Sequence, residues 1–331
     1  MGDRMKKRNV LLTLAGCAIL LFAIVLSVRT GSVRLSYREF LMGLMGNKGY
    51  EKVSFLILNL RLPRTFASIL AGVGLSVSGL ALQNITGNDL AGPNIIGVNA
   101  GAGFFVIAGM YFLPGKNELL PYLAFFGAFI STVLILIISG ALHHGKSTII
   151  LSGIAVTALL NAGISLISRL DNDLISLYND FSVGGLSGCD IHSLIVPMMM
   201  ILISFLMILY FSKDIDVMML GDGLSKSMGV NVRLVKWMVL LSASMAAGAV
   251  VSFAGLLGFV GLIVPHMARR LFSIRTKTAL FSSVLLGAVV VCLADTIGRS
   301  AIRGTEIPVG IVMAFVGVPF FLYLIARRRA A

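Results

Sequence analysis

Asp295 and Arg299 stand four residues apart inside an apolar run, a spacing that puts a carboxylate and a guanidinium on one face of a helix. Ionisable groups inside a membrane-crossing segment are costly unless paired, so they flag function by default. The chemistry open to this pair is an ion or proton relay, or the pinning of one helix against its neighbours. An ion-driven transporter needs several such groups near the bilayer midplane, and beyond this pair the chain adds little more than His266, which follows Pro265 toward the end of another apolar run. The stretch Gly140-Ala-Leu-His-His-Gly145-Lys146-Ser147 fits the phosphate-binding pattern G-x-x-x-x-G-K-S. That pattern cradles phosphate only between a buried strand and a helix. Here the preceding residues end an apolar run, so it reads as a basic turn. His143 and His144 share the turn without a carboxylate beside them, which argues against a metal site. Cys17, Cys189 and Cys292 are odd in number and lack a Cys-x-x-Cys, so neither a disulfide framework nor zinc is implied. No nucleophile–base set offers an embedded enzyme a starting point.

The composition explains why so few such groups exist. The chain has 331 residues, 57% hydrophobic and 12% charged, with a mean hydropathy of +0.97. Soluble domains carry roughly 25% charge. The chain therefore crosses a membrane many times, and no soluble core is expected. Its 36 glycines fit a bundle of closely approaching membrane helices. The net charge of +13 does not indicate nucleic acid, because Lys and Arg fall between apolar runs as they do in inward-facing loops. Val10 to Val28, behind a basic flank, is longer than a signal-peptide core and lacks an Ala-x-Ala site, so it reads as a retained first span.

Further spans follow at 65–83, 94–113, 119–142, 148–168 and 192–212, with a surface helix at 37–45. The uncharged run from Trp237 to Pro265 would be about 44 Å long as one helix, against a hydrocarbon core of about 30 Å. A break near Gly255 resolves it into two spans, the second over about 256–272. Spans at 278–297 and 307–326 complete an all-α architecture of about ten transmembrane helices. Parity agrees: ten spans place both the N-terminus, residues 1–9, and the arginine-rich C-terminus, residues 327–331, on the cytosolic side. The expectation is a single transmembrane domain over residues 1–331.

Two polar segments stand out. Residues 213–236 form a cytosolic island too long for a tight turn. Leu220, Leu224 and Met228 recur at helical spacing there, Asp222 can cap the helix and Gly229 can end it. This predicts one or two short helices whose apolar stripe rests on lipid headgroups or docks a soluble partner. The first outer segment is anomalously basic, with Arg29, Arg34, Arg38, Arg61 and Arg64. It reads as headgroup anchoring or as a face for an acidic partner.

Several blocks in order resemble one family, the FecCD-type permeases of ABC importers for iron chelates and cobalamin. They are Arg61-Leu-Pro-Arg64 leading into AGVGLSVSGLALQNITGNDLAGPNIIGVNAGAG, then LGDGLSKSMGV, GLLGFVGLIVPHMARR, Ala294-Asp295 through Arg299, and Glu306-Ile-Pro-Val-Gly310. The resemblance covers about Arg61 to Ile325. It implies two permease subunits, alike or paired with a second permease, around a central path in a bacterial plasma membrane. It implies one cytosolic ABC ATPase per subunit, two copies in all, and an external or periplasmic substrate-binding protein. It further implies that Leu220, Gly221, Asp222, Gly223, Leu224 and Gly229 form the ATPase-coupling element. Arg61, Arg64 and Arg299 would face acidic residues of the binding protein. ATP hydrolysis would belong to the separate ATPase, with no cofactor and no metal in this chain. Ser225 replaces a frequent alanine, and Phe181-Ser-Val-Gly184-Gly185 lacks a frequent tryptophan, so the chelate's identity does not transfer. The alternative is an ion-coupled secondary transporter or channel working without an ATPase.

Overall fold

The computed structural model describes residues 2–31, 33, 35–94, 97–141, 146–302 and 304–329. The turn holding His143 and His144, the middle of the phosphate-binding look-alike, lies outside them, as does Arg34. Among the described residues, fifteen α-helices follow in order. They are α1 (Gly2–Arg29), α2 (Tyr37–Leu44), α3 (Glu51–Phe55), α4 (Leu62–Thr86), α5 (Val98–Phe112), α6 (Leu120–Ala141), α7 (Lys146–Leu170) and α8 (Leu174–Val183). Then come α9 (Ile195–Tyr210), α10 (Ser212–Met218), α11 (Asp222–Ser227), α12 (Val232–Ala254), α13 (Val260–Leu271), α14 (Thr276–Ser300) and α15 (Val309–Arg329). Among the described residues the one β feature is a single bridge between Ile302 and Thr305.

All ten expected apolar segments form helices in the expected order. Among the described residues, six helical runs have the length and composition to cross a bilayer alone, and α9 with α10, bent by 57°, makes a seventh if the pair is one span. The others are shorter. The segment expected from Asn94 becomes helical only at Val98, because Pro93 and Gly97, at φ 69°, hold a turn ahead of it. The first crossing of α4 begins earlier than expected: α3, a wide π turn at Leu56–Arg61 and α4 run on as one 36-residue rod from Glu51 to Thr86. The apolar residues of 53–60 continue the helical pattern through what the charges had marked as loop. Helix α2 matches its expected place, closed by a reciprocal cap between Ser36 and Glu39. The Ser36 backbone N–H and hydroxyl hold the Glu39 carboxyl below its usual range.

The break in the long uncharged run falls where length demanded it. Helix α12 ends at Ala254, Gly255 takes φ 67°, and Phe259 takes a left-handed φ of 64° before α13 begins. Backbone released from helices this deep in a bundle needs partners. They come from α8 and the glycines that follow it, which α15 fastens in turn. Leu256 N donates to Phe181 O at 3.2 Å, Gly185 N to Ala254 O at 2.9 Å, and Gly310 N to Gly184 O at 3.2 Å. Helix α8, absent from the expected set of spans, exists to meet this break.

Helix α4 is the axis of the bundle, packed by α12, α13 and α14. Its inward positions are small: Ala67, Ala71, Gly72, Ser76 and Gly79 are all buried. Gly72 meets the backbone of Gly287 on α14, and Gly79 meets the carbonyl of Gly261 on α13. A methyl group at either glycine would fall on main-chain atoms, which cannot rotate away. We expect Gly79→Ala to force α4 and α13 apart at a cost of about 1–3 kcal/mol. A lowered thermal midpoint in detergent checks this; an unchanged midpoint would show that the contact is loose. Apolar side chains on α1, α7, α9 and α15, such as Leu11, Leu159, Leu206 and Phe315, are exposed on the outer surface of the bundle.

Candidate functional site

The rod of α4 separates two polar ends, about 37 Å apart along its 25 residues. One end carries residues 213–236. Beyond Phe211 the chain bends into α10, and Gly221, at φ 116°, starts α11. Gly229, at φ 84°, closes the element as its type predicted. Asp222 is not the cap. Gly221 holds the cap position, and the Asp222 carboxylate instead receives Lys236 Nζ of α12 at 2.6 Å. The buried Ser225 hydroxyl donates to Gly221 O at 2.7 Å and to Val217 O at 3.1 Å, tying α11 to α10. Asp216 Oδ1 accepts the Thr276 backbone N–H at 2.8 Å, so α10 caps the start of α14. The island is thus fastened to two membrane helices through its polar groups. Leu220, Leu224 and Met228 are left at 64%, 60% and 63% exposure. Gly223 is also exposed. Nearby, Arg269 at the end of α13 reaches Asn84 at 2.9 Å, Asp89 at 3.0 Å and Gln83, joining α13 to the end of α4.

The opposite end gathers three arginines. Arg64 grips Asp295 Oδ1 through Nε at 3.1 Å and Nη2 at 3.0 Å, and Glu306 Oε2 through Nη1 at 2.6 Å. Arg299 Nε lies 2.9 Å from Asp295 Oδ2, the i,i+4 pair expected on α14. Its Nη2 donates to Ser27 Oγ at 2.6 Å. Arg61 donates to the carbonyls of Val28, Arg29 and Val33, closing the end of α1. All three line one open cavity of about 450 Å³, together with Ser187, Cys189, Asp190 and Glu306. Burial pushes the Cys189 thiol up to about 11, so the cavity holds no thiolate at neutral pH.

The structure therefore brings Arg61, Arg64 and Arg299 together, and gathers Leu220 to Gly229 at the far end. The arginines are not free surface groups. Arg61 and Arg299 are 5% and 3% exposed, and Arg64 is the one of the three nearest to solvent. The bridge from Arg64 to Asp295, 231 residues apart, had no local signal in the sequence.

A bundle of apolar helices around a small-residue axis, with irregular backbone only where other elements satisfy it, defines a polytopic α-helical membrane protein. Residues 19–327 match the FecCD transport family, and the chain belongs to that family of transport permeases. It is 35% identical over 327 residues to the Fe(3+)-citrate import system permease protein YfmE of Bacillus subtilis (strain 168), covering 97% of this chain and 96% of that one. It is 33% identical over 336 residues to the Iron(3+)-hydroxamate import system permease protein FhuG of the same organism, covering 97% and 98%. Its fold superposes on a solved structure described as an inward-facing conformation of a metal-chelate type ABC transporter. The TM-score is 0.85 at 25% identity, over 96% of this chain and 99% of that one.

Proposed function

We propose that this chain is the membrane subunit of an ATP-driven importer that passes a ferric chelate from an external binding protein to the cytosol by alternating access. The observation that carries the ATP-driven reading is the island end. Three large apolar side chains, Leu220, Leu224 and Met228, stand exposed on an element held to α12 and α14 by Lys236 and Thr276. Exposed apolar groups on a fastened support suit a protein partner, because the support is already ordered and docking costs it little entropy. The partner is a cytosolic ATPase, one per permease in a dimer of two, like or unlike. Its nucleotide-driven closure would push α10 and α11, and their ties would carry the displacement into α12 and α14. The termini and residues 213–236 then share the cytosolic face.

The arginine cavity lies at the external end in this orientation, facing the binding protein. With Arg61 and Arg299 buried, their role there is to shape the cavity. Arg64 is held by Asp295 and Glu306 at the cavity wall, and the exposed Arg38 and Lys52 present charge to acidic residues of the partner. Reversing charge at Arg61 or Arg299 is consequently a test of folding rather than of docking. An ion-coupled mechanism finds less support, since Asp295, the carboxylate within α14, is committed to two arginines.

The cargo class rests on the relatives, whose names specify ferric citrate and ferric hydroxamate imports. Deleting the gene should abolish growth on one or more ferric chelates supplied as sole iron source and spare growth on ferrous salts. Undiminished growth on every chelate would contradict the assignment.

A further inference from the structure

A second cavity, distinct from the arginine cavity, opens where α11 meets α12 and α6. It has a volume of about 90 Å³, room for several waters and so for a phosphate group. Among the described residues its lining includes Lys226, Arg233 and Lys236 against one carboxylate, that of Asp222. Lys236 is 7% exposed, and its hydrogen bond is to Asp222. Asp222 Oδ1 is buried and receives no hydrogen bond. Apart from Ser139, the rest of the described wall is apolar, including Leu136, Leu240 and Trp237. Trp237 lies one and a half turns into the span that begins at Val232, the depth at which tryptophan marks the bilayer interface.

The geometry points to a site for the phosphate headgroup of an anionic membrane lipid, held between the island and α12. Three cations facing one carboxylate leave an excess of positive charge that a phosphodiester neutralises, and basic pockets between membrane helices favour such headgroups. The apolar wall separates lipid from soluble phosphate: it would cover the first carbons of an acyl ester, while a free ion gains nothing from it. A glycerol headgroup adds a hydroxyl donor suited to the unpartnered oxygen of Asp222. The lipid would thus bridge Lys226 of α11 to Arg233 of α12. This inference needs only that α12 crosses the bilayer, and it stands or falls independently of the ATPase reading.

Trp237 is the single tryptophan of the chain, so its fluorescence reports this cavity alone. The full-length protein is placed in phosphatidylcholine nanodiscs containing either brominated phosphatidylglycerol or brominated phosphatidylcholine at equal mole fraction. We expect the anionic lipid to quench Trp237 at much lower mole fraction. Replacing the exposed pair, Lys226→Gln with Arg233→Gln, should weaken that preference roughly thirtyfold, from the loss of two interfacial cations. Equal quenching by both lipids would overturn the proposal, as would a preference that survives the double substitution. Inorganic phosphate at millimolar concentration should leave the preference intact; its abolition would assign the cavity to a soluble anion and also overturn the lipid reading.

Discussion

Asp295→Ala should be among the most damaging single substitutions in this chain, costing about 3–5 kcal/mol. Its side chain is 1% exposed and stands between two guanidiniums, Arg64 on α4 and Arg299 on the same helix. Removing it leaves two buried positive charges facing each other across the seam of α4 and α14. Arg64 retains Glu306, at 2.6 Å. Arg299 retains hydrogen bonds to Ser27, which carries no charge. The penalty comes from the orphaned Arg299 cation more than from the lost attraction, so removing Arg299 as well should recover part of it. Asp295→Leu with Arg299→Met is expected to be more stable than Asp295→Ala. Thermal midpoints in detergent, read by size-exclusion of the monodisperse fraction, decide the matter. A midpoint for Asp295→Ala within about 2 °C of the parent would show that the network carries little stability.

The second large effect lies at the other end and leaves folding alone. Leu224 is 60% exposed on a six-residue helix, so an aspartate there is solvated and the bundle is undisturbed. Leu224→Asp places a charge at the centre of the exposed Leu220–Leu224–Met228 patch. Apolar anchors in such patches carry about 2 kcal/mol or more of binding, so ATPase affinity should fall at least roughly thirtyfold. Co-purification of the ATPase and ATP-dependent uptake should fall together, while the thermal midpoint of the permease stays put. Retention of both activities would place the contact elsewhere on the chain.

These two ends were legible in the sequence to different degrees. The order of apolar segments followed from hydropathy, and length demanded a break that the glycines from Gly255 onward placed, because an uncharged run of 29 residues cannot cross a bilayer once without overshooting. The i,i+4 pair of Asp295 and Arg299 was local and therefore visible. The island read as short helices with an exposed stripe, since spacing sets which residues share a face. Its capping was misread: Asp222 suits a cap by type, but Lys236, 14 residues on, competes for the carboxylate. Helix α8 was invisible because its reason for existing is the backbone of Gly255 and Leu256, some 75 residues later. Likewise the burial of Arg61 depends on carbonyls from the end of α1, and the shortness of α5 and α13 depends on which turns precede them. Wherever a feature is fixed by a partner distant in sequence, periodicity carries no trace of it.

The central claim is that the bundle is a gate driven from outside itself, through residues 213–236. The direct measurement is uptake of radiolabelled ferric chelate into proteoliposomes holding the permease, its ATPase and its binding protein, compared with vesicles holding the permease alone under an imposed proton or sodium gradient. Accumulation against a gradient in the complete system, dependent on ATP and lost in Leu224→Asp, is the predicted result. Accumulation by the permease alone, driven by ions, would contradict the account.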